Sequence, residues 1–221
     1  MFLNPFPNAF GLDIGATSVK LVWLDKKGES FILKAALVAS VPAKGMLSES
    51  PLDEEEMAQA LRKIADTAGV NTKRVNIALP ENQVYTKVLD MPVLSDREVA
   101  SAIYWEAEQY IPVPLTNIKL VWSILKRPEK IGVDDKMQVL MVGAPTMLVN
   151  KYQKVISMAG LEINSMETEI LAAIRALAME PNFPTSLVVN IGAISTSFAI
   201  VRKGVMDFTY SMSLGGAAIN R

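Results

Sequence analysis

The fold is decided near the N-terminus by one stretch, Phe10-Gly11-Leu12-Asp13-Ile14-Gly15-Ala16-Thr17-Ser18-Val19-Lys20. Its two flanks are β-prone and residues 15–18 form a tight turn, so the pattern predicts a β-hairpin. Such a turn can point backbone N–H groups and two hydroxyls at one spot, which suits a phosphate. Asp13 would stand at the end of the first strand, where a carboxylate can hold Mg²⁺. Taken by itself, however, Asp-x-Gly at a hairpin is more often plain turn chemistry.

A second copy of this pattern lies 177 positions later, where Asn190 takes the place of Asp13. The copy runs through Val189-Asn190-Ile191-Gly192-Ala193-Ile194-Ser195-Thr196-Ser197-Phe198. The same offset aligns Gly15 with Gly192 and Ser18 with Ser195. Two phosphate-type hairpins in one chain predict a pair of similar lobes that face each other across a nucleotide.

Composition narrows the classes of function. The chain has 221 residues, half of them hydrophobic, and a net charge of −1, which argues against a nucleic-acid-binding protein. It contains no cysteine and no histidine, so disulfides, thiolate chemistry and histidine-based catalysis are excluded. Residues 1–9 are apolar but short and contain two prolines. They match neither a signal peptide nor a membrane span, and we expect a soluble protein.

Local patterns place two helices and a small module. Ser50-Pro51 predicts a helix start, and Gly69 its end. Ser95 and Glu98 predict a capping box for a helix that runs to about Tyr110. From residue 84 to 166 the predicted order is strand, helix, strand, strand, helix and a final strand at 162–166. This order is typical of a small split βαβ module.

The paired hairpins resemble the first and second phosphate motifs of the actin, Hsp70 and sugar-kinase superfamily. Within it, the chain resembles the PilM family, actin-like cytoplasmic proteins of type IV pilus assembly that are related to the cell-division protein FtsA. The resemblance runs from about Phe10 to the last residue. Its most specific part is Ile103-Tyr104-Trp105-Glu106-Ala107-Glu108-Gln109-Tyr110-Ile111-Pro112, and weaker matches are Ala159-Gly160-Leu161 and the segment 213–219.

This resemblance implies an α/β, actin-like fold with an inserted subdomain. Residues 1–83 would form the N-terminal part of the first lobe, and 84–166 the inserted α+β subdomain shared with FtsA. Residues 167–185 would complete the first lobe with a helix and a linker, and 186–221 would begin a second lobe. We expect that second lobe to be truncated, because a three-stranded meander cannot cover its own faces. For the same reason we expect weak ATP binding.

The resemblance also implies a site for ATP and Mg²⁺ between the hairpins, with Asp13 positioning the metal. The implied nucleotide-binding residues are Gly11, Asp13, Gly15, Thr17, Ser18, Lys20, Asn190, Gly192, Ser195, Thr196, Gly215 and Gly216. The implied catalytic residues are Asp13 together with Glu167 or Glu169, either of which would orient a water molecule. An acidic helix start without a catalytic role explains these two glutamates equally well.

Asn190 departs from the family pattern, which usually has Asp at this position. An amide cannot act as a base, so we expect at most a slow ATPase. The implied function is a cytoplasmic, nucleotide-binding scaffold of the pilus assembly platform. It would bind the cytoplasmic N-terminal peptide of a bitopic, PilN-like inner-membrane protein. The chain would then reach the inner membrane only through that partner.

Three questions stay open from the sequence. The chain could be a small-molecule kinase of the same superfold, or an FtsA-like filament protein that would need an amphipathic membrane helix. It could also self-assemble through the inserted subdomain. Finally, the aromatic side chains of Tyr104, Trp105 and Tyr110 could be core residues or anchors in a partner's groove.

Overall fold

The structure is a computed structural model that describes residues 9–28, 30–42, 44–128, 135–177 and 183–219. Its strands are β1 (Phe10–Ile14), β2 (Ser18–Lys27), β3 (Ser30–Ser40), β4 (Arg74–Leu79), β5 (Tyr85–Pro92), β6 (Ile118–Lys126), β7 (Lys136–Pro145), β8 (Glu162–Thr168), β9 (Ser186–Ile191), β10 (Thr196–Arg202) and β11 (Val205–Met212). Its α-helices are α1 (Pro51–Thr67), α2 (Asp96–Tyr110), α3 (Thr146–Met158), α4 (Glu169–Leu177) and α5 (Gly216–Ile219).

The largest sheet has five strands in the order β3-β2-β1-β4-β8. Strand β1 is antiparallel to β2 and parallel to β4, and β4 is parallel to β8. Helices α1 and α3 pack on one face, where Phe10, Leu61 and Tyr152 are among the buried side chains. As predicted, α1 has Pro51 in its first turn and is followed by Gly69 at a positive φ.

A second, antiparallel sheet has three strands in the order β5-β7-β6, and α2 covers one of its faces. The predicted capping box at the start of α2 is confirmed. The Ser95 backbone N–H donates to the Glu98 carboxylate at 2.8 Å, and the Glu98 N–H donates to the Ser95 hydroxyl at 3.4 Å. Local sequence signals were therefore sufficient to place this helix.

The strand expected to close the small module belongs elsewhere. Strand β8 pairs with β4 in the five-stranded sheet, and α3 packs in the core of that sheet. The pairing is reinforced by the Asn76 side-chain oxygen, which accepts hydrogen bonds from Asn164 at 2.7 Å and Ser165 at 2.8 Å. The small sheet is therefore built by β5, β6 and β7 with α2. The boundaries 84 and 166 themselves stay a prediction. Positions 1–8, 29, 43, 129–134, 178–182 and 220–221 of the proposed segments lie outside the described residues.

The third sheet has the order β11-β10-β9 and packs against α4. Their shared core contains Ile170 and Ile174 from α4, Val188 and Ala199 from the third sheet, and Leu140 from the small sheet. Helix α4 therefore lies where all three sheets approach one another, and both candidate sites described below border it.

Candidate functional site

The two hairpins have the same turn. In the first, the Gly15 N–H donates to the Ser18 carbonyl at 3.0 Å, and in the second the Gly192 N–H donates to the Ser195 carbonyl at 2.8 Å. A Cβ on either glycine would lie 3.0 or 3.1 Å from that carbonyl oxygen, so each turn favours glycine. The internal repeat predicted from the sequence thus extends to backbone geometry.

A cleft of about 360 Å³ lies between the two turns. It gathers residues that are far apart in sequence, and nine of the predicted site residues line it: Asp13, Gly15, Thr17, Ser18, Lys20, Glu169, Asn190, Gly192 and Ser195. Hydroxyls, backbone amides and a lysine at one spot suit a phosphate group. The cleft therefore fits the kind of ligand that the hairpins predict.

The first hairpin carries the charge of the cleft. Lys20 Nζ lies 2.7 Å from Asp13 Oδ2, and both side chains are about half exposed. A carboxylate already paired with a lysine can still bind a hydrated Mg²⁺, because this ion usually keeps several waters and takes one or two protein carboxylates. Among the described residues, no three Asp, Glu, His or Cys side chains are grouped to hold a metal ion. Asp13 is the acidic side chain that the first hairpin brings to the cleft.

Glu169 stands on the first-lobe side of the cleft, at the start of α4. Burial, together with the charges of Asp13 and Glu81, raises the pKa of this carboxyl to about 7, and the charge of Lys20 limits the rise. A carboxyl with a pKa near neutrality can exchange a proton at physiological pH. The Glu169 carboxyl can therefore take up or release a proton near neutral pH.

Glu167 points to the other side of α4. Its carboxylate pairs with the Arg175 guanidinium and lines a second cavity instead of the cleft. This placement departs from the expectation that either glutamate could serve the cleft. The physical reason is that the two residues straddle the junction of β8 and α4, where the chain passes between two cavities.

Four further expected ligands do not line the cleft. Gly11 lies within β1, opposite Val22. The Thr196 hydroxyl donates to the Leu214 carbonyl at 2.6 Å. Gly215 and Gly216 pack on the second turn, and a Cβ on Gly215 would lie 2.6 Å from backbone atoms of that turn. These residues shape the hairpins and do not face the cleft.

The second cavity is an apolar groove of about 860 Å³ between the small sheet and the first lobe. Strands β6 and β8, which are edge strands of their sheets, both contribute to its lining. The apolar lining includes Val121, Leu125, Val142, Met166, Leu171 and Ile174, and charged side chains come from Lys119, Glu167 and Arg175. We call this cavity the groove.

The aromatic side chains of α2 are neither core nor groove residues. Tyr104 and Trp105 are exposed, Trp105 at 70%. Helix α2 covers the face of the small sheet opposite to the one that packs toward α4. Tyr110 is also exposed, and Lys87 Nζ lies 4.7 Å from the centre of its ring. All three aromatic side chains therefore lie outside the cleft and the groove.

Sequence analysis missed several residues of the cleft. Lys44, Asn82, Gln83 and Tyr152 also line it. Burial, with the nearby charges of Glu169 and Asp13, raises the pKa of the Tyr152 hydroxyl. Tyr152 lies on α3 within an ordinary helical pattern, so nothing in the sequence distinguished it from a core residue.

Comparison with known proteins places the chain in a family. The family model described as "Type IV pilus assembly protein PilM" matches residues 11–221. The chain belongs to the PilM family. It is also 25% identical over 234 residues to the cell division protein FtsA of Streptococcus pneumoniae, covering 96% of the chain and 50% of that relative. The chain spans about half the length of the curated relatives it matches.

Solved structures agree with this assignment. A PilM-PilN type IV pilus biogenesis complex matches with a TM-score of 0.83 and 28% identity, covering 96% of this chain and 63% of that one. A protein of Bacteroides thetaiotaomicron with an actin-like ATPase fold and unknown function matches with a TM-score of 0.52 and 12% identity, covering 97% and 73%. The fold is therefore the actin-like ATPase fold predicted from the hairpins. In the described part of the chain, no helix is long and apolar enough to cross a membrane.

Proposed function

We propose that this PilM-family chain is a nucleotide-binding scaffold of type IV pilus assembly that docks a membrane protein's cytoplasmic tail in the groove. The observation that carries the proposal is the groove itself, an apolar cavity of about 860 Å³ between the small sheet and the first lobe. Its expected occupant is the N-terminal cytoplasmic peptide of a bitopic, PilN-like protein. The chain would then work in the cytoplasm and reach the inner membrane through that partner.

The groove has the features of a peptide site. Its apolar side chains can bury the anchors of a peptide, and a few buried anchors usually supply most of the affinity. Its walls include strands β6 and β8, which stand at the edges of their sheets in the described structure, and an extended peptide can bind by adding to a sheet edge. Lys119 and Arg175 add positive charge beside the carboxylate of Glu167. An extended, mostly apolar peptide fits this lining best.

The cleft supports ATP with Mg²⁺ as the nucleotide ligand. Thr17, Ser18 and Ser195 would contact phosphates, and Lys20 would supply positive charge. Asp13 would hold the metal, whose role when bound is to neutralise phosphate charge. Glu169 would accept a proton from water. Since Asn190 brings no charge from the second hairpin, we expect slow hydrolysis at most.

The exposed surface of α2 supports a further role in self-assembly. Trp105 and Tyr104 lie beside each other on this helix with most of their rings in solvent. Exposed aromatic side chains of this kind are enriched at protein interfaces. We therefore assign contacts between copies of the chain to α2 and the peptide to the groove, on opposite faces of the small sheet.

The proposal is tested by isothermal titration calorimetry, in which the N-terminal peptide of a PilN-like protein from the same organism is titrated into this chain. Val121→Asp places a charge in the groove at a side chain that is already 48% exposed, so the fold should survive. We expect this change to weaken binding by about 1–3 kcal/mol. Val38→Asp on β3, which is 71% exposed and does not line the groove, is the matched control and should bind normally. No saturable binding by a folded sample would refute the proposal.

A further inference from the structure

Glu81 is the most deeply buried acidic side chain described, with 4% of its surface exposed. It begins the short 3-10 helix Glu81–Gln83 that follows β4. Within the described residues, its Oε2 has no hydrogen-bond partner, and neither does the hydroxyl of Thr86. Because an unpaired buried oxygen costs free energy, its presence calls for an explanation.

Three separate elements surround the Glu81 carboxyl. Burial raises the pKa of Glu81, and the polar groups that face its carboxyl, the Thr168 and Thr86 hydroxyls and the Ile170 backbone N–H, lower it in part. Thr86 belongs to the small sheet, Thr168 ends β8 and Ile170 begins α4. The charged and titratable neighbours are Glu169, whose carboxylate interacts with the Glu81 backbone, and Tyr110 on α2. Glu81 therefore joins the small sheet to the start of α4.

The same junction separates the groove from the cleft. Leu79 lines the groove, while Pro80, the next residue, lines the cleft. Thr168 lines the groove, while Glu169 lines the cleft. Helix α4 continues this wall, with Leu171 on the groove side and residues 172–173 on the cleft side. Any shift of the start of α4 must change both cavities.

We propose that Glu81 is a positioning residue that couples the groove to the cleft by fixing the start of α4. The coupling rests on the proposed function, since it needs a peptide in one cavity and a nucleotide in the other. A small movement of the junction between β8 and α4 would bring the Thr168 hydroxyl into hydrogen-bonding distance of Oε2. The junction then has two arrangements, and a ligand in either cavity selects between them. Such coupling is reciprocal, so each ligand changes the affinity of the other by the same factor.

The experiment measures peptide affinity by calorimetry with and without saturating ATP and Mg²⁺. In the wild type we expect a change of roughly 5- to 150-fold between the two conditions. Glu81→Leu keeps the volume but removes both oxygens, and should bring that ratio close to one while the peptide still binds. Glu81→Gln retains hydrogen-bonding groups and should restore most of the ratio. Glu54→Leu is the matched control, because Glu54 is also buried but pairs with Lys154 and lines neither cavity.

Amide hydrogen exchange gives a second readout that needs no nucleotide. Peptide added to the wild type should slow exchange at the cleft-lining residues 172–173 and 82–83, and this slowing should be lost in Glu81→Leu. If the peptide binds but neither readout depends on Glu81, the coupling is refuted and the scaffold proposal stands. If ATP does not bind, the affinity ratio cannot be measured, and the hydrogen-exchange experiment with peptide alone tests the coupling. If a folded sample binds no peptide, both proposals fall.

Discussion

The two hairpins share a backbone and differ in charge. The residues two positions before the turn and two positions after it face each other across the strands, Asp13 with Lys20 in the first hairpin and Asn190 with Ser197 in the second. The first pair is an ion pair of 2.7 Å, and the second pair carries no charge. Both turns close with the same glycine-to-serine hydrogen bond.

This difference in charge indicates different chemical roles for the two hairpins that border the cleft. The common turn explains how both hairpins can present backbone amides and hydroxyls to a phosphate. Only the first, in the described structure, brings a carboxylate, and that carboxylate also acts on Glu169. We infer that the second hairpin contributes shape and hydrogen bonding, while the first hairpin would hold the metal and, through Asp13, influence the proton chemistry of Glu169.

The largest expected effect comes from removing the acid of the first hairpin. Asp13→Ala should weaken Mg²⁺-dependent ATP binding about 100-fold, equivalent to about 2.7 kcal/mol, because no other carboxylate at a turn can replace it. Asn190→Ala, the matched change in the second hairpin, should cost less than about fivefold. Calorimetry with and without Mg²⁺ measures both. Equal losses in the two variants would show that the hairpins are chemically equivalent.

Glu169→Gln tests how strongly the surroundings of this carboxyl, chiefly burial and then the charge of Asp13 in the first hairpin, raise its pKa. The folded state raises the pKa of Glu169 to about 7, so the native protein retains a proton that the unfolded chain releases. Stability therefore falls as the pH rises from about 4.5 to 7 and levels off above. The variant lacks this loss and should be more stable than the wild type by about 2 kcal/mol at pH 8, with no advantage near pH 4.5.

Urea denaturation at the two pH values measures this difference. Glu167→Gln is the control from the opposite side of α4. Its carboxylate is paired with Arg175, so its removal should not stabilise the protein at pH 8. A Glu169→Gln variant with wild-type stability at both pH values would show that the carboxyl is not perturbed.

Asn190→Asp makes the second hairpin more like the first. The added carboxylate supplies a second charge for a nucleotide-bound metal, and we expect ATP turnover to rise about tenfold, or about 1.4 kcal/mol in activation free energy. Asn190→Ser, which adds no charge, is the control. Fast hydrolysis already present in the wild type would contradict the unequal roles of the hairpins.

The smallest expected effect, on the free energy of unfolding, comes from making the first hairpin resemble the second. Asp13→Asn combined with Lys20→Ser gives the first hairpin the uncharged pair of the second. Because the ion pair is about half exposed, its loss should change the free energy of unfolding by less than about 1 kcal/mol. Thermal and urea denaturation measure it. A larger loss would mean that the pair holds the hairpin together.

Sequence analysis was strongest where structure depends on neighbouring residues. The repeated turn and the capping box of Ser95 and Glu98 are local patterns, and the structure confirms both. The pairing of β8 with β4 joins segments such as Asn76 and Asn164 that are 88 residues apart, and no local pattern marks it.

The sequence predicted the turn residues of the cleft, but it did not predict which residues near α4 line the cleft and which line the groove. Glu167 and Glu169 are two residues apart and equally acidic, yet only the position of α4 between two cavities separates their roles. Glu81 follows Pro80 in a sequence typical of an exposed turn. Its burial results from packing by β5, β8 and α4, which come later in the chain.

The parallel pairing of β4 with β8 also has a consequence for folding kinetics. All of β5, α2, β6 and β7 lies between these two strands, and the small sheet forms by antiparallel pairing within that stretch. Contacts distant in sequence form slowly, because closing a long loop costs entropy before the contacts compensate. A small sheet that folds first would shorten the effective loop between β4 and β8. We therefore expect the first lobe to complete its sheet only after this intervening unit has collapsed.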